Sequence, residues 1–342
     1  MKESKISANT KRVLLTVLGI LLVLIILAAV IGTAYVENML NLINKQPDDS
    51  TISQEEYQDF MNNQTEEPDP DFTGETIDPE DVEWETNKET VSDEKHIINI
   101  MLIGQDRRPG QGRTRSDVML LCTVNKNTKE LTLTSFMRDL YVPIPGYQDN
   151  RMNACYAFAG MKLLNKCMET NFGIHVDGNL EVDFNGFIDV IDTMGGVDIT
   201  LTNSEANYMI KQGYSVTAGQ NHMDGKTALS YARNRAIGNA DFSRTERQRK
   251  VITALVEKCR GMSLSQLKGL METVLPMITT DLTNKEILDY MMQILPMLKD
   301  LKVNTQRIPA DGTFKYASIR GMSVLVPDLE ANRQILKGIM AE

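Results

Sequence analysis

The feature that most constrains this chain is an uncharged, largely apolar run of 24 residues from Val13 to Val36. As a helix rising about 1.5 Å per residue it would span about 36 Å, enough for a hydrocarbon core of roughly 30 Å with some tilt. Lys11 and Arg12 stand immediately before the run, and acidic sequence follows it. Positive charge marks the cytoplasmic side, so the N-terminus is expected inside and everything after Tyr35 outside. Gly32-Thr33-Ala34 also reads as a small-x-small cleavage site. The run is longer than the roughly 7–15 residues of a signal-peptide core, which favours an uncleaved anchor.

Charge divides the rest of the chain. The net charge of −10 over 342 residues sits in one segment: residues 37–95 hold 19 acidic and 3 basic side chains, which leaves residues 96–342 at +3. The acidic stretch has no sustained periodicity and reads as a self-repelling, mostly disordered stalk. A weakly basic remainder suits an anionic ligand and argues against a nucleic-acid reader. The expected organisation is a cytoplasmic stub over 1–12, a transmembrane anchor over 13–36, a stalk over 37–95 and an extracytoplasmic domain over 96–342. The chain would then be a single-pass protein of the cell membrane. Cys122, Cys155, Cys167 and Cys259 form no CxxC pair and have no metal-type histidine spacing, so no zinc site is expected. They read chiefly as buried thiols, with one or two bridges left open.

His96 to Ile103 and Val118 to Val124 are nearly continuous apolar runs, as in strands covered on both faces. Leu131 to Phe136 reads as a third strand, joined to the second by a hairpin over 125–129. Helical spacing marks Asn153 to Thr170, Asn185 to Met194 and Met223 to Arg233. Amphipathic segments follow at 263–280 and 283–299, then strand-like 313–326 and a helix from Asp328. The expected fold class is α/β: a three-layer domain with a central mixed β-sheet flanked by helices, preceded by one transmembrane helix.

Two groups of polar residues stand out on this frame. Asp106 follows the first strand, Asp117 precedes the second and Arg138 follows the third. If the second strand is antiparallel to the other two, all three meet at one sheet edge. Carboxylates hold a divalent cation and an arginine fork grips phosphate, although a surface ion-pair cluster fits the same residues. Arg233, Arg235, Asp241, Arg244, Arg247, Gln248 and Arg249 form the second group. Ser243-Arg244-Thr245-Glu246 matches a capping box, so a helix is expected to start at Ser243. At 100° per residue, Arg244 and Gln248 fall on the stripe of Val251, Leu255 and Cys259, with Arg247 beside it. Arg249 and Lys250 point away. A charged side chain on a buried stripe needs a partner: an anionic ligand, or a structural ion pair with Asp106, Asp117 or Asp241. Gly219 to Thr227 looks like a phosphate loop but has five residues between its glycines instead of four.

The chain resembles the LytR–CpsA–Psr family of cell-wall glycopolymer transferases. The resemblance rests on seven stretches in order: Asn99 to Asp106, Arg115 to Met119, Ser135 to Asp139, Arg151 to Tyr156, Val182 to Phe187, Gly195 to Val197 and Asp241 to Gln248. Met137 and Gln105 depart from residues common in the family. The resemblance implies transfer of a glycopolymer, such as a teichoic acid or wall polysaccharide, from a polyprenyl pyrophosphate carrier to peptidoglycan through a phosphodiester. Polyprenyl monophosphate would be released. Asp106 and Asp117 would hold Mg²⁺ or Mn²⁺, and Arg115, Arg138, Arg233, Arg235, Arg244 and Gln248 would bind pyrophosphate. Asp241, Arg138 and Arg244 would carry catalysis. A metal-dependent polyprenyl-pyrophosphate hydrolase and a non-catalytic wall-binding or regulatory ectodomain remain the alternatives. No nucleic-acid partner is implied.

Overall fold

The computed structural model describes residues 35–45, 47–63, 74–84, 94–105 and 113–341. The cytoplasmic stub, nearly all of the expected anchor, and Asp106 lie outside the described residues. Among the described residues, no helix is long and apolar enough to cross a membrane.

The chain builds a six-stranded mixed sheet from β1 (Ile97–Gln105), β2 (Ser116–Asn125), β3 (Glu130–Phe136), β4 (Gly178–Asp183), β5 (Thr279–Thr280) and β6 (Lys302–Ile308). The order across the sheet is β5-β4-β1-β2-β3-β6. β2 is antiparallel to both β1 and β3, while β1–β4 and β3–β6 are parallel pairs. Side chains alternate between the faces of the sheet. Met101, Ile103, Met119, Leu121 and Phe136 enter a core covered by α2 (Asn153–Phe172) and α7 (Leu329–Met340). Ile98, Leu120, Val124, Leu131 and Leu133 face the other way, against Ile252 and Val256 of α5 (Ala240–Arg260) and Tyr290 of α6 (Asn284–Ile294). Apolar residues on both faces require cover on both, which produces the three layers. A ribbon of Phe314–Ile319 and Met322–Pro327 closes at Arg320 and Gly321, both at positive φ.

The expected helix from Asn153 is present but broken at Ala159 and Gly160. Gly160 has φ +64°, and a Cβ there would meet Asp49 and the Asp48 carbonyl. The break folds the helix back, so that Cys155 and Cys167 form a disulfide with Cα atoms 6.9 Å apart. Twelve residues of straight helix would separate them by about 18 Å. This corrects the reading of these two as thiols; Cys122 and Cys259 are free.

The disordered stalk is also corrected where residues 37–95 are described. Met39, Leu40 and Ile43 are buried with Leu275. Helix α1 (Gln54–Asn62) is capped by Ser53. Ile52, Tyr57, Phe60 and Trp84 pack on the main core. Arg113 fastens the segment by donating to the carbonyls of Asp48, Ser50 and Ala157. Widely spaced apolar residues among many acids show no periodicity, yet Met39, Leu40, Ile43, Ile52, Tyr57, Phe60 and Trp84 find places on the domain.

Candidate functional site

β2 opens with a bulge: Gln105 of β1 pairs with Ser116, and Gly104 with Val118, which leaves Asp117 unpaired. A bulge re-aims a side chain. The Asp117 Oδ1 accepts from Arg138 Nη1 at 3.0 Å, and Arg138 stands in the turn after β3. The antiparallel arrangement on which the convergence depended is therefore the one found.

Helix α5 begins at Ala240, a turn before the expected Ser243. The Ser243 hydroxyl instead accepts from the Asn239 N–H at 2.8 Å. The earlier start places Asp241 inside the first turn, one turn ahead of Arg244 on the same face. Asp241 gathers three guanidiniums: Arg138 Nε at 2.9 Å, Arg235 Nε at 3.0 Å and Arg244 Nη2 at 3.2 Å. Burial opposes its charge, but Arg244, Arg138 and Arg235 outweigh it and hold the carboxyl below the usual range. Burial works against the Arg138 charge too, and Asp139, Asp241 and Asp117 overcome it. Arg244 is buried, with its Nε lacking an acceptor, and burial lowers it to about 10 despite Asp241. Arg138, Arg235 and Arg244 face Asp241 and Asp117, while Asp139 is shared with Arg151 at 3.3 Å. The cluster thus retains positive charge and an unused buried donor, which suits an anion.

Two more expected residues stand at an adjoining apolar cavity of about 180 Å³. Helices α3 (Phe184–Thr193) and α4 (Gly225–Arg233) cover it. Arg233 and Gln248 line the cavity together with Leu102, Leu180, Phe187 and Ile252. The Arg233 guanidinium lies 4.4 Å from the Phe184 ring centre, a cation–π contact. Arg115, two residues before Asp117, lies 4.3 Å from the Phe60 ring centre of α1. Sequence reasoning missed both rings.

Two arginines of α5 differ from expectation. Arg247 is a structural pin: it donates to Glu205 at 2.8 Å and to the carbonyls of Asn234 and Ile237 at 2.9 and 2.7 Å. Arg249 was expected to point away, yet only 8% of it is exposed. The expected stripe put one wall beside α5, whereas the helix packs on β3 and β6 as well. Among the described residues, no group of three or more His, Cys, Asp or Glu side chains could hold a metal ion.

The LytR_cpsA_psr family model matches residues 59–338. This chain belongs to the LytR–CpsA–Psr family. It is 33% identical over 222 residues to the polyisoprenyl-teichoic acid–peptidoglycan teichoic acid transferase TagU of Enterococcus faecalis, covering 62% of this chain and 71% of that one. A solved structure titled TagT bound to LIIa-WTA superposes with a TM-score of 0.58 at 26% identity, over 72% of this chain and 90% of that one. TagT with bound octaprenyl pyrophosphate lipid shares the fold at 23% identity and a TM-score of 0.53, over 72% and 89%. The family match begins within α1, which agrees with the packing of that helix on the domain.

Proposed function

We propose that this LytR–CpsA–Psr protein attaches a glycopolymer from a polyprenyl pyrophosphate carrier to peptidoglycan through a phosphodiester, releasing polyprenyl monophosphate. The observation that carries this reading is the joining of an arginine cluster around Asp241 to an apolar cavity through Arg233 and Gln248. A ligand with a charged head and an apolar tail matches both halves. The acceptor hydroxyl attacks the sugar-side phosphorus and its proton passes to solvent. The bond from that phosphorus to the bridging oxygen breaks, and polyprenyl monophosphate leaves. Arg138, Arg235 and Arg244 neutralise charge on the transferring group, where positioning and electrostatics carry most of the catalysis. Asp241, held ionised by three guanidiniums, orients them and is a poor proton acceptor. Arg115 and Arg233 hold the outer phosphate oxygens.

Asp117, with 29% of its side chain exposed, offers oxygen donors of the kind Mg²⁺ or Mn²⁺ prefers, and Asp106 would supply the second carboxylate. The ion would add charge neutralisation at the pyrophosphate. The chain is read as a single-pass membrane protein with its N-terminus in the cytoplasm and this domain outside.

The test is full-length protein in micelles with lipid-pyrophosphate-linked glycan, peptidoglycan and Mg²⁺, analysed for a new phosphodiester. Free glycan formed without acceptor would instead indicate a hydrolase, and absence of turnover a binding or regulatory protein. A reporter fused after Glu342 should be active only outside the cytoplasm; activity inside would overturn the topology.

A further inference from the structure

The chain leaves no spacer between its apolar run and the folded domain. Tyr35 and Val36 close the run that begins at Val13, and both already touch the domain. The Tyr35 hydroxyl donates to Glu272, and its ring lies 4.4 Å from Lys268 Nζ, both on helix Leu264–Val274. Met39, Leu40 and Ile43 are buried with Leu275, and Met271, Ile287 and Leu288 close around them. The Asn44 N–H donates to the Ile278 carbonyl at 3.1 Å, and the Thr280 N–H donates to the Asn44 carbonyl at 2.9 Å. Asn284 of α6 donates to Asn41 at 2.7 Å. A tethered domain could drift from the bilayer. This packed exit instead holds helix Leu264–Val274 and α6 at the level where the apolar run ends.

The surface at that level is apolar. Six large apolar side chains are exposed among the described residues, and four of them stand here: Tyr35, Leu42, Met292 and Leu295. Met292 is the most exposed of the six, at 67%. At about 100° per residue, Leu288, Met292 and Leu295 fall within about 60° of one another on α6. Leu288 packs against the exit segment, so the stripe runs from the buried cluster out to solvent. The face carries acids beside its lysines, Glu272 near Lys268 and Glu286 next to Lys285, so charge does not set its partner. An exposed apolar patch marks a protein or a membrane contact. Here the end of the apolar run decides between them.

We infer that α6 and the segment 35–43 seat the domain on the bilayer through Tyr35, Leu42, Met292 and Leu295. The three aliphatic side chains enter the headgroup–acyl boundary by about 5–10 Å, as the apolar face of an interfacial helix does. Tyr35 stands in the headgroup layer that tyrosine favours. The partner is the phospholipid of the leaflet in which the anchor ends. The seat fixes the orientation of the domain as well as its distance. Helix Leu264–Val274 packs on α3, which covers the apolar cavity, so that cover is held beside the leaflet. This inference rests on the anchor reading proposed above.

The test reads tryptophan emission from full-length protein in dilute phosphatidylcholine vesicles, with and without bromine on the acyl chains. The chain has one tryptophan, Trp84, which stacks on Tyr141 beyond β3, whereas the exit segment joins β5 at the opposite edge of the sheet. Met292→Trp and Leu42→Trp each add a reporter at an exposed position. Brominated lipid should remove about half of the added emission, as expected for a side chain at the headgroup–acyl boundary, and less than about a tenth of the Trp84 emission. If neither added tryptophan is quenched, the seat is overturned. Quenching of Leu42→Trp alone would confine lipid contact to the exit of the anchor and overturn the part given to α6. Equal quenching of Trp84 would overturn a fixed orientation. A blue shift without quenching, seen only in crowded vesicles, would give the face to a second copy of the chain. Extraction with alkaline carbonate tests the anchor separately: release of the protein from the vesicles would count against the anchor reading itself, whatever the tryptophans report.

Discussion

Arg244→Lys separates a ligand-binding arginine from a structural one on the same helix. Arg244 Nη2 donates to Asp241 at 3.2 Å and, at the long distance of 3.5 Å, to the Asp117 carbonyl, while its Nε is buried without an acceptor. Losing a charged hydrogen bond costs about 1.5–3 kcal/mol, while removing an unsatisfied buried donor relieves about 1–3 kcal/mol. The two nearly cancel, so stability should change by less than about 1 kcal/mol, or roughly 4 °C in melting temperature. Transfer should respond differently, because lysine keeps the charge but cannot grip two phosphate oxygens at once. Loss of one charged hydrogen bond to the pyrophosphate, about 1.5–3 kcal/mol, lowers kcat/KM roughly 10- to 150-fold. Arg247→Lys should do the reverse. It forfeits donors to two carbonyls and weakens the buried pair with Glu205, a cost of about 3–5 kcal/mol, or roughly 6–20 °C. Lys250→Gln, on the exposed face, should change neither quantity. The assays are thermal melting and transfer of labelled lipid-linked glycan. An Arg244→Lys variant that melts as low as Arg247→Lys yet turns over normally would refute the reasoning, since that pattern belongs to a structural ion pair.

Other outcomes follow from neighbouring contacts. Burial raises the Glu205 carboxyl, but bonds from Thr202 and Arg247 outweigh it and leave it lowered. Its stabilising contribution is therefore complete above the ordinary carboxylate range and lost as pH falls through the depressed folded value; Glu205→Gln should flatten that acid limb in pH-dependent melting curves. Arg113→Ala removes the donors that fasten residues 48–50 to α2, so limited proteolysis should cut within residues 47–63 sooner while the core persists. Unchanged cleavage would show that apolar packing alone holds the segment. Asp117→Asn should abolish metal-stimulated transfer with little change in melting temperature, and full transfer in EDTA would remove the metal from the mechanism.

The strands β1 to β3, the hairpin between them and the convergence of Asp117 with Arg138 were legible in the sequence. Two continuous apolar runs must be covered on both faces, and a hairpin fixes its own antiparallel direction. Arg244 was legible as an inward-facing residue for a similar local reason: 3.6-residue periodicity puts it on the apolar stripe of its own helix. What surrounds that helix was not. Arg249 reads as outward from one stripe, yet it is buried, on a helix that packs against β3 and the edge strand β6. Phe60 and Phe184 under Arg115 and Arg233 depend on elements brought together from distant parts of the chain. The acidic segment before residue 96 shows the same limit. Its composition describes an extended chain, but Leu40, Ile52 and Phe60 need no periodicity to pack once the domain presents a surface. Periodicity reports the environment of an element on average, whereas the identity of each partner is settled by long-range packing.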